Sequence, residues 1–502
     1  MSSGGSTSAD ALRRARPALW ATAGLALALA AQWMLDRWPD TPRDGVFLFT
    51  LASAAWLAGI RPQLAAARAA GTHAPPAHRP ASWPVDRRRL ALGLVLVALP
   101  VVVWPAVAEV LPLASGLAIL RYPTDGSWPW RSNNAFTPLG ALSWLAGTGL
   151  VVAALRTPPM GGPGAWLARR MPRHRAPWIL LLIVAVAAAF RFHDLPELPR
   201  EMTSDHTEKL LDIHDVLVGA RPVFLDQNSG REPLQFYLTA LAVALGLPYG
   251  FLTQKLVMAA VSLAAVPLVY LAGREVGGRR LGLAAAALLA SAPWHVQVAR
   301  AAMRIGFAPL FAALVLYLLI RALHRGARND WLALGVGLGA GMYGYTAFRP
   351  MAFVVALAVP LKLAHDAWRG RSDGWRPVAA RARIVLGGAA LAALVSILVA
   401  APLARYAVDQ PRSFGLRTMS RMTGSEVPLA NPPWVQFRIN MARAALMVNR
   451  TSDSAWIHSP PGRPGLETVG AALFVLGVVT AVGRVARAAD WRSGLVLLAL
   501  PL

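Results

Sequence analysis

Long, mostly apolar runs recur along the chain, among them 19–35, 90–107, 251–272, 304–320 and 384–401, and arginine-bearing stretches separate them. A helix needs about 20 mostly apolar residues to cross the hydrocarbon layer of a bilayer. The repeated runs therefore predict an all-α, polytopic transmembrane helical bundle of about 12–13 spans. The first run follows Arg13, Arg14 and Arg16 and lacks a small-residue cleavage pattern, so it reads as a retained helix and not as a signal peptide. The last, 495–502, stops in mid-span, and further helices or a soluble domain are expected after it.

The polar stretches orient these spans. With the N-terminus inside, alternate connections place Arg61, Arg68, Arg79 and Arg87 to Arg89 on one side, together with the arginines of 156–176, 273–280, 321–330, 362–383 and 484–492. Clustering of arginine on the cytoplasmic side is the expected asymmetry. It holds only if the run 236–247 does not cross, and twelve residues are too few for a span.

Composition agrees and removes other classes. Of 502 residues 56% are hydrophobic and 15% charged, a balance more apolar than a soluble domain requires. The net charge of +25 lies in loops between spans, which argues for membrane lipids and against nucleic acid as the partner of the basic residues. Without cysteine there is no thiolate nucleophile and no Cys-ligated zinc.

Two external loops are long, 191–235 and 403–467. The first carries Asp194, Glu197, Glu201, Asp205, Glu208, Asp212, Asp215, Asp226 and Glu232, nine of the 25 acidic residues. Such crowding is repulsive, and it asks for cations, a metal or a catalytic use. Residues 1–175 hold four spans and no comparable cluster, so they read as an N-terminal extension to a module spanning 176–502.

Within the first loop, TSDHTEKLLDIHDVLVG predicts an amphipathic helix ending at Gly219, with Asp205, Glu208, Asp212 and Asp215 on one face and Leu210, Ile213 and Leu217 on the other. It is expected to lie along the membrane with its acids toward an aqueous cavity. Asp205 and Glu208 also have capping-box spacing, which is a purely structural use for them. A divalent metal on Asp205 and Glu208, helped by His206, is a further reading, although no dedicated metal motif is present. In the second loop, 434–447 predicts another surface helix, and Asn449 to Thr451 form a glycosylation sequon by pattern alone.

The order of segments from about residue 176 onward resembles the C-type membrane glycosyltransferases, in particular the protein O-mannosyltransferase and aminoarabinose-transferase branch. The resemblance rests on the acidic external loop, then SGREPLQFYLTALAVALG, GREVGGRRLGLAAAALLASAPWHVQVAR, APLARYAVDQPRSFGLRTMSR and MVNRTSDSAWIHSPPGRPGLETVGAALFVLG. It implies transfer of a sugar from a polyprenyl-phosphate donor to an acceptor on protein, lipid or envelope glycan, at the outer face of a cell membrane.

Asp205 matches the family's acceptor-activating acid. The family's adjacent Asp-Glu pair is replaced here by Asp205 and His206, with the next acid at Glu208. The chemistry requires a carboxylate base near the incoming hydroxyl and cations for the departing phosphate. The cation candidates are Arg231, Lys255, Arg300 and Arg304, the last two four apart and so expected on one helix face. Glu232, His206 and Arg349 are candidate substrate contacts, with an Arg231–Glu232 ion pair as the other use of Glu232. No cofactor is required by this chemistry, and a divalent metal is compatible with it. Two other functions fit the same architecture: transfer of a whole oligosaccharide or polymer, and non-catalytic transport or scaffolding of glycolipids.

Overall fold

The computed structural model describes residues 8–38, 42–70, 85–122, 131–157, 176–372, 374–425, 428–452, 455–458, 462–488 and 490–500. The Pro/Ala/Arg-rich connection 71–84 and the basic stretch 158–175 lie outside the described residues. Among the described residues the fold is helical, with one two-residue antiparallel pairing, Leu120–Arg121 with Ala135–Phe136.

Nine of these helices are long and apolar enough to cross a membrane, and Trp178–Phe192 and Leu234–Ala244 are shorter apolar helices. The 41-residue helix Phe251–Ser291 is two segments, because Gly277 and Gly278 leave helical geometry, Gly278 at φ +84°. That conformation favours glycine. The halves then fold against each other so closely that a methyl group on Gly282 would meet Tyr270 O at 2.6 Å. The reversal falls in the basic connection 273–280 that the charge pattern assigns to one side. Leu234–Ala244 has 11 residues, about 16 Å of helix, which is half of a hydrocarbon layer.

The chain separates into two units. One contains 1–77, 292–297 and 437–501. In it the helical hairpin Ser8–Arg37 and Pro42–Ala70 packs with Thr468–Ala488 around Ala28, Ala31, Ala52, Ala472 and Leu476. Polar side chains fasten this packing. Gln32 Nε2 donates to Asn449 O at 2.7 Å, Asn449 Nδ2 returns a bond to Gln32 Oε1 at 3.0 Å, and Trp56 Nε1 donates to Thr480 Oγ1 at 2.8 Å. Amide pairs of this kind are effective glue between helices in lipid.

The other unit, 78–291 with 298–436, holds all the candidate site residues. Gly335 and Gly339 let Arg328–Gly341 approach Trp375–Asp409, where added methyl groups would meet Ala392 O at 2.5 Å and Val399 Cβ at 2.7 Å. Small residues four apart permit this closeness. The helices Arg87–Ala98 and Pro138–Leu155 cross at Gly93 and Gly147, and Trp144 Nε1 donates to Leu398 O at 2.7 Å. Pro138–Leu155 thus packs on Trp375–Asp409.

Candidate active site

The predicted acidic helix is present as Ser204–Leu217, followed by Gly219 at φ +113°. Its cap is Thr203, not Asp205: Thr203 N–H donates to His206 Nδ1 at 3.0 Å. The buried His206 donates its other nitrogen to Ala301 O at 2.8 Å. An acceptor at Nδ1 and a donor at Nε2 define a neutral imidazole. Burial, reinforced by the Lys209 charge, holds its pKa below the ordinary histidine value. His206 therefore braces the start of the helix, and both of its nitrogens are engaged within the protein.

The acidic face does not look outward as a whole. It closes on the guanidinium of Arg231, which has no exposed surface. Nη1 lies 2.7 Å from Asp212 Oδ2, Nη2 lies 3.4 Å from Asp205 Oδ1, and Nη2 also pairs with Glu208. The opposite face packs as the pattern implies, with Ile213 against Leu225, Phe236 and Ala240 and with Leu210 at the edge. The inward turn of the acids follows from the buried cation, because an ion in that position requires counter-charge.

Arg231 is aimed by a tight turn. Leu225 and Arg231 exchange backbone hydrogen bonds of 2.9 and 2.6 Å, while Asn228, Ser229 and Gly230 all have positive φ. Glycine is required at 230, where φ is +98° and a methyl group would strike the Phe224 ring at 2.6 Å. The same turn brings Asn228 Nδ2 to 3.1 Å from Asp205 Oδ1.

The carboxylates are not equivalent. Side-chain exposure is 34% for Asp205 and 40% for Glu208, against 1% for Asp212. Burial raises the proton affinity of Asp205, but Lys209, 2.5 Å from Oδ2, and Arg231 outweigh it and hold the carboxyl below its usual range. Burial dominates at Asp212, whose pKa is pushed up to about 6 despite Arg231 and Arg131. Lys209, buried itself, is pushed down to about 8.

Glu232 does not pair with Arg231. It is fully buried and receives Arg304 Nη1 at 3.2 Å, Arg349 Nη2 at 3.0 Å and Thr346 Oγ1 at 2.6 Å. Arg349 also lies over the Phe414 ring, 4.3 Å from its centre. Adjacent residues 231 and 232 thus organise two neighbouring charge networks.

Arg300 and Arg304 do not share a helix face. Pro293–Arg300 ends at Arg300, Ala302 turns at φ +52°, and Arg304 opens a new 3-10 turn. Arg300 donates to the carbonyls of Phe190, His193, Asp194 and Leu198. Lys255 Nζ donates to those of Pro196 and Pro199 at 3.1 and 2.8 Å. Both therefore fasten the chain between Trp178–Phe192 and the acidic helix, away from the carboxylates.

Several contributors were not singled out from sequence. Lys209 is visible in hindsight as the residue four after Asp205 on a helix. Arg131, 3.7 Å from Asp212 Oδ1, comes from a region with no acidic pattern to mark it. Arg417 on Pro411–Thr423 is within electrostatic reach of Arg304, and no acid pairs with it among the described residues. No group of three His, Asp or Glu residues suited to a metal ion occurs among the described residues. Asp205 and Glu208 instead face the cations of Arg231 and Lys209.

Residues 230–373, which include Arg231, Glu232, Lys255, Arg300, Arg304 and Arg349, match the family model of dolichyl-phosphate-mannose-protein mannosyltransferases. No curated protein and no solved structure matches the chain. The acidic helix precedes the matched segment and is tied to its first residues through Arg231. The family match over 230–373, carried on a bundle of membrane-length helices, supports a membrane glycosyltransferase of the mannosyltransferase type.

Proposed function

We propose that the enzyme transfers a mannose-like sugar from a polyprenyl-phosphate donor to an acceptor hydroxyl on the extracytoplasmic face, with Asp205 as general base. The observation that carries this reading is the state of Asp205. It is an ionised, partly open carboxylate held at fixed orientation by Lys209, Arg231 and Asn228. A base in that condition can accept the acceptor's proton at physiological pH.

In the reaction, the acceptor oxygen forms its bond to the anomeric carbon while its proton passes to Asp205. The bond from that carbon to the phosphate oxygen breaks, and its electron pair leaves with the lipid phosphate. One in-line step of this kind inverts the anomeric centre. Glu208, open beside Asp205 on the same guanidinium, is the second acid available to orient the acceptor.

The departing phosphate needs positive charge. Arg231 is committed to three carboxylates, and Arg300 and Lys255 to backbone carbonyls, so these three support the site's shape. Around Glu232 the balance is positive: Arg304 and Arg349 share one carboxylate, with Arg417 near Arg304. That side of the site is our choice for the phosphate. The extracytoplasmic placement rests on the arginine asymmetry of the connecting loops.

The test is to purify wild type and Asp205→Asn, offer each a panel of polyprenyl-phosphate monosaccharides with candidate acceptors, and follow donor loss by mass spectrometry. Wild type is expected to consume one donor and the variant at least about 100-fold less, as loss of a general base implies. A wild type that consumes none, or an equally active variant, removes the mechanism.

A further inference from the structure

The helices Arg87–Ala98 and Pro138–Leu155 lie outside both the family match and the segment that resembles the family. The polypeptide just before Pro138 is nevertheless inserted beside the acidic helix. Asn134, 1% exposed, accepts the N–H of Val223 at 2.9 Å through Oδ1 and donates Nδ2 to Phe224 O at 2.7 Å. Ser132 Oγ also reaches Phe224 O, at 3.4 Å, and Phe136 N–H donates to Arg221 O at 2.7 Å. Asn134 thereby completes the hydrogen bonding of the strand-like stretch that leads into the Arg231 turn.

Arg131 acts on the acidic helix itself. Its backbone N–H donates to Asp215 Oδ2 at 3.1 Å, its guanidinium lies 3.7 Å from Asp212 Oδ1, and its carbonyl accepts Gln227 Nε2 at 2.9 Å. Asp212 consequently lies between two guanidiniums: Arg231 hydrogen-bonds Oδ2 at 2.7 Å, and Arg131 is an ion-pair neighbour of Oδ1 at 3.7 Å, an oxygen that is buried without a hydrogen bond. Buried ion pairs are strongly sensitive to loss of one partner.

We propose that residues 131–134 complete the transferase site, Arg131 being a positioning residue that flanks Asp212 opposite Arg231 and so holds that guanidinium against Asp205 and Glu208. Asn134 fixes the loop that carries Arg231. The inference rests on Asp205 serving as the base. It makes the preceding pair of helices a working part of the enzyme. The charged groups facing Asp212 are Asp215 of its own helix, Arg231 of the turn and Arg131, with Asp205 and Glu208 linked to it through Arg231. Removing Arg131 raises the proton affinity of Asp212, and a neutral Asp212 no longer fixes Arg231.

The test uses the full-length protein with Arg131→Ala, Arg131→Lys, Asn134→Ala and, as control, Asp205→Asn. In Arg131→Ala, kcat is expected to fall about tenfold with donor KM within about twofold, as expected for a misplaced catalytic group. The acid limb of its rate profile should move up by about one pH unit, and Arg131→Lys should recover most of both losses. Amide hydrogen exchange over 204–231 should be faster in Arg131→Ala and Asn134→Ala. Wild-type kinetics, pH profile and exchange in these variants would overturn the proposal. So would a lysine variant no better than alanine. An active Asp205→Asn would instead sink the assignment of the base, and the exchange measurement would still decide whether 131–134 secures the helix.

Discussion

Arg231 Nη1 lies 2.7 Å from Asp212 Oδ2, and neither side chain reaches solvent. The same guanidinium extends to Asp205 and Glu208, which do. A pair closed to water thus sets the position of two groups open to it. Three carboxylates are balanced by Lys209 of the same helix, by Arg231 from 19 to 26 residues further along the chain, and by Arg131 of the packed 131–134 segment.

Removal of the central cation should be severe. Arg231→Met leaves Asp212 buried with only Arg131 nearby, and loss of about 3–5 kcal/mol of stability is expected. Arg231→Lys keeps the charge but gives up the forked geometry that reaches several oxygens. It should fold, melting a few degrees lower in detergent, and lose about 100-fold in transfer rate. A lysine variant with wild-type turnover would show that the fork is dispensable.

The pH dependence of stability divides the two best-placed aspartates. Asp212, raised to about 6 mainly by burial, favours folding at low pH, and that contribution is lost as pH rises through about 6. Asp205 has the opposite sign: burial is outweighed by Lys209 and Arg231, so its contribution is present at neutral pH and disappears as pH falls below the usual carboxylate range. Melting curves of wild type and Asp212→Asn from pH 4.5 to 7.5 should therefore show the wild type losing ground to the variant as pH rises. Parallel curves would mean that Asp212 does not titrate there.

Lys209 tunes the base directly, since its ammonium is 2.5 Å from Asp205 Oδ2. Lys209→Met removes a cation that favours the ionised carboxyl. The acid limb of kcat/KM is expected to move upward by about one pH unit. Lys209→Arg should leave that limb where wild type has it, and equal profiles for all three proteins would dismiss the pairing as inert.

Glu232→Gln unbalances the other network by leaving Arg304 and Arg349 without their carboxylate. A loss of about 3–5 kcal/mol is expected, the cost of a buried ion deprived of its partner. Added inorganic phosphate should restore part of the melting temperature of this variant and little of that of wild type, because the anion can take up the freed charge. Failure of phosphate to act selectively would argue against an anion site there.

Much of the fold was legible because membrane spans are written as long apolar runs and the acidic helix as a 3,4,3 spacing of carboxylates. The short run near 236–247 was also readable as too short, by length alone. What lay beyond reach were contacts between segments distant in sequence. The attachment of Asn134 to Val223 and Phe224 uses one amide in a stretch without periodicity. The break at Ala302, which separates Arg300 from Arg304, places positive φ on an alanine, a residue that carries no turn signal. The partners of Glu232 were hidden for a related reason, because adjacency suggested Arg231 while the peptide geometry sends the two side chains to different neighbours.

The amide exchange between Gln32 and Asn449 has a consequence in time. The two residues are 417 positions apart, and at 5–20 residues per second a ribosome needs roughly 20–80 s to make that much chain. During that interval Gln32 can donate to Asp36 Oδ1 of its own helix, as it does at 2.8 Å in the folded protein, while its carbonyl oxygen lacks the Asn449 partner. The helix that carries Gln32 thus waits in the membrane for a partner made much later, and an insertase or chaperone that shelters Gln32 would act in that window.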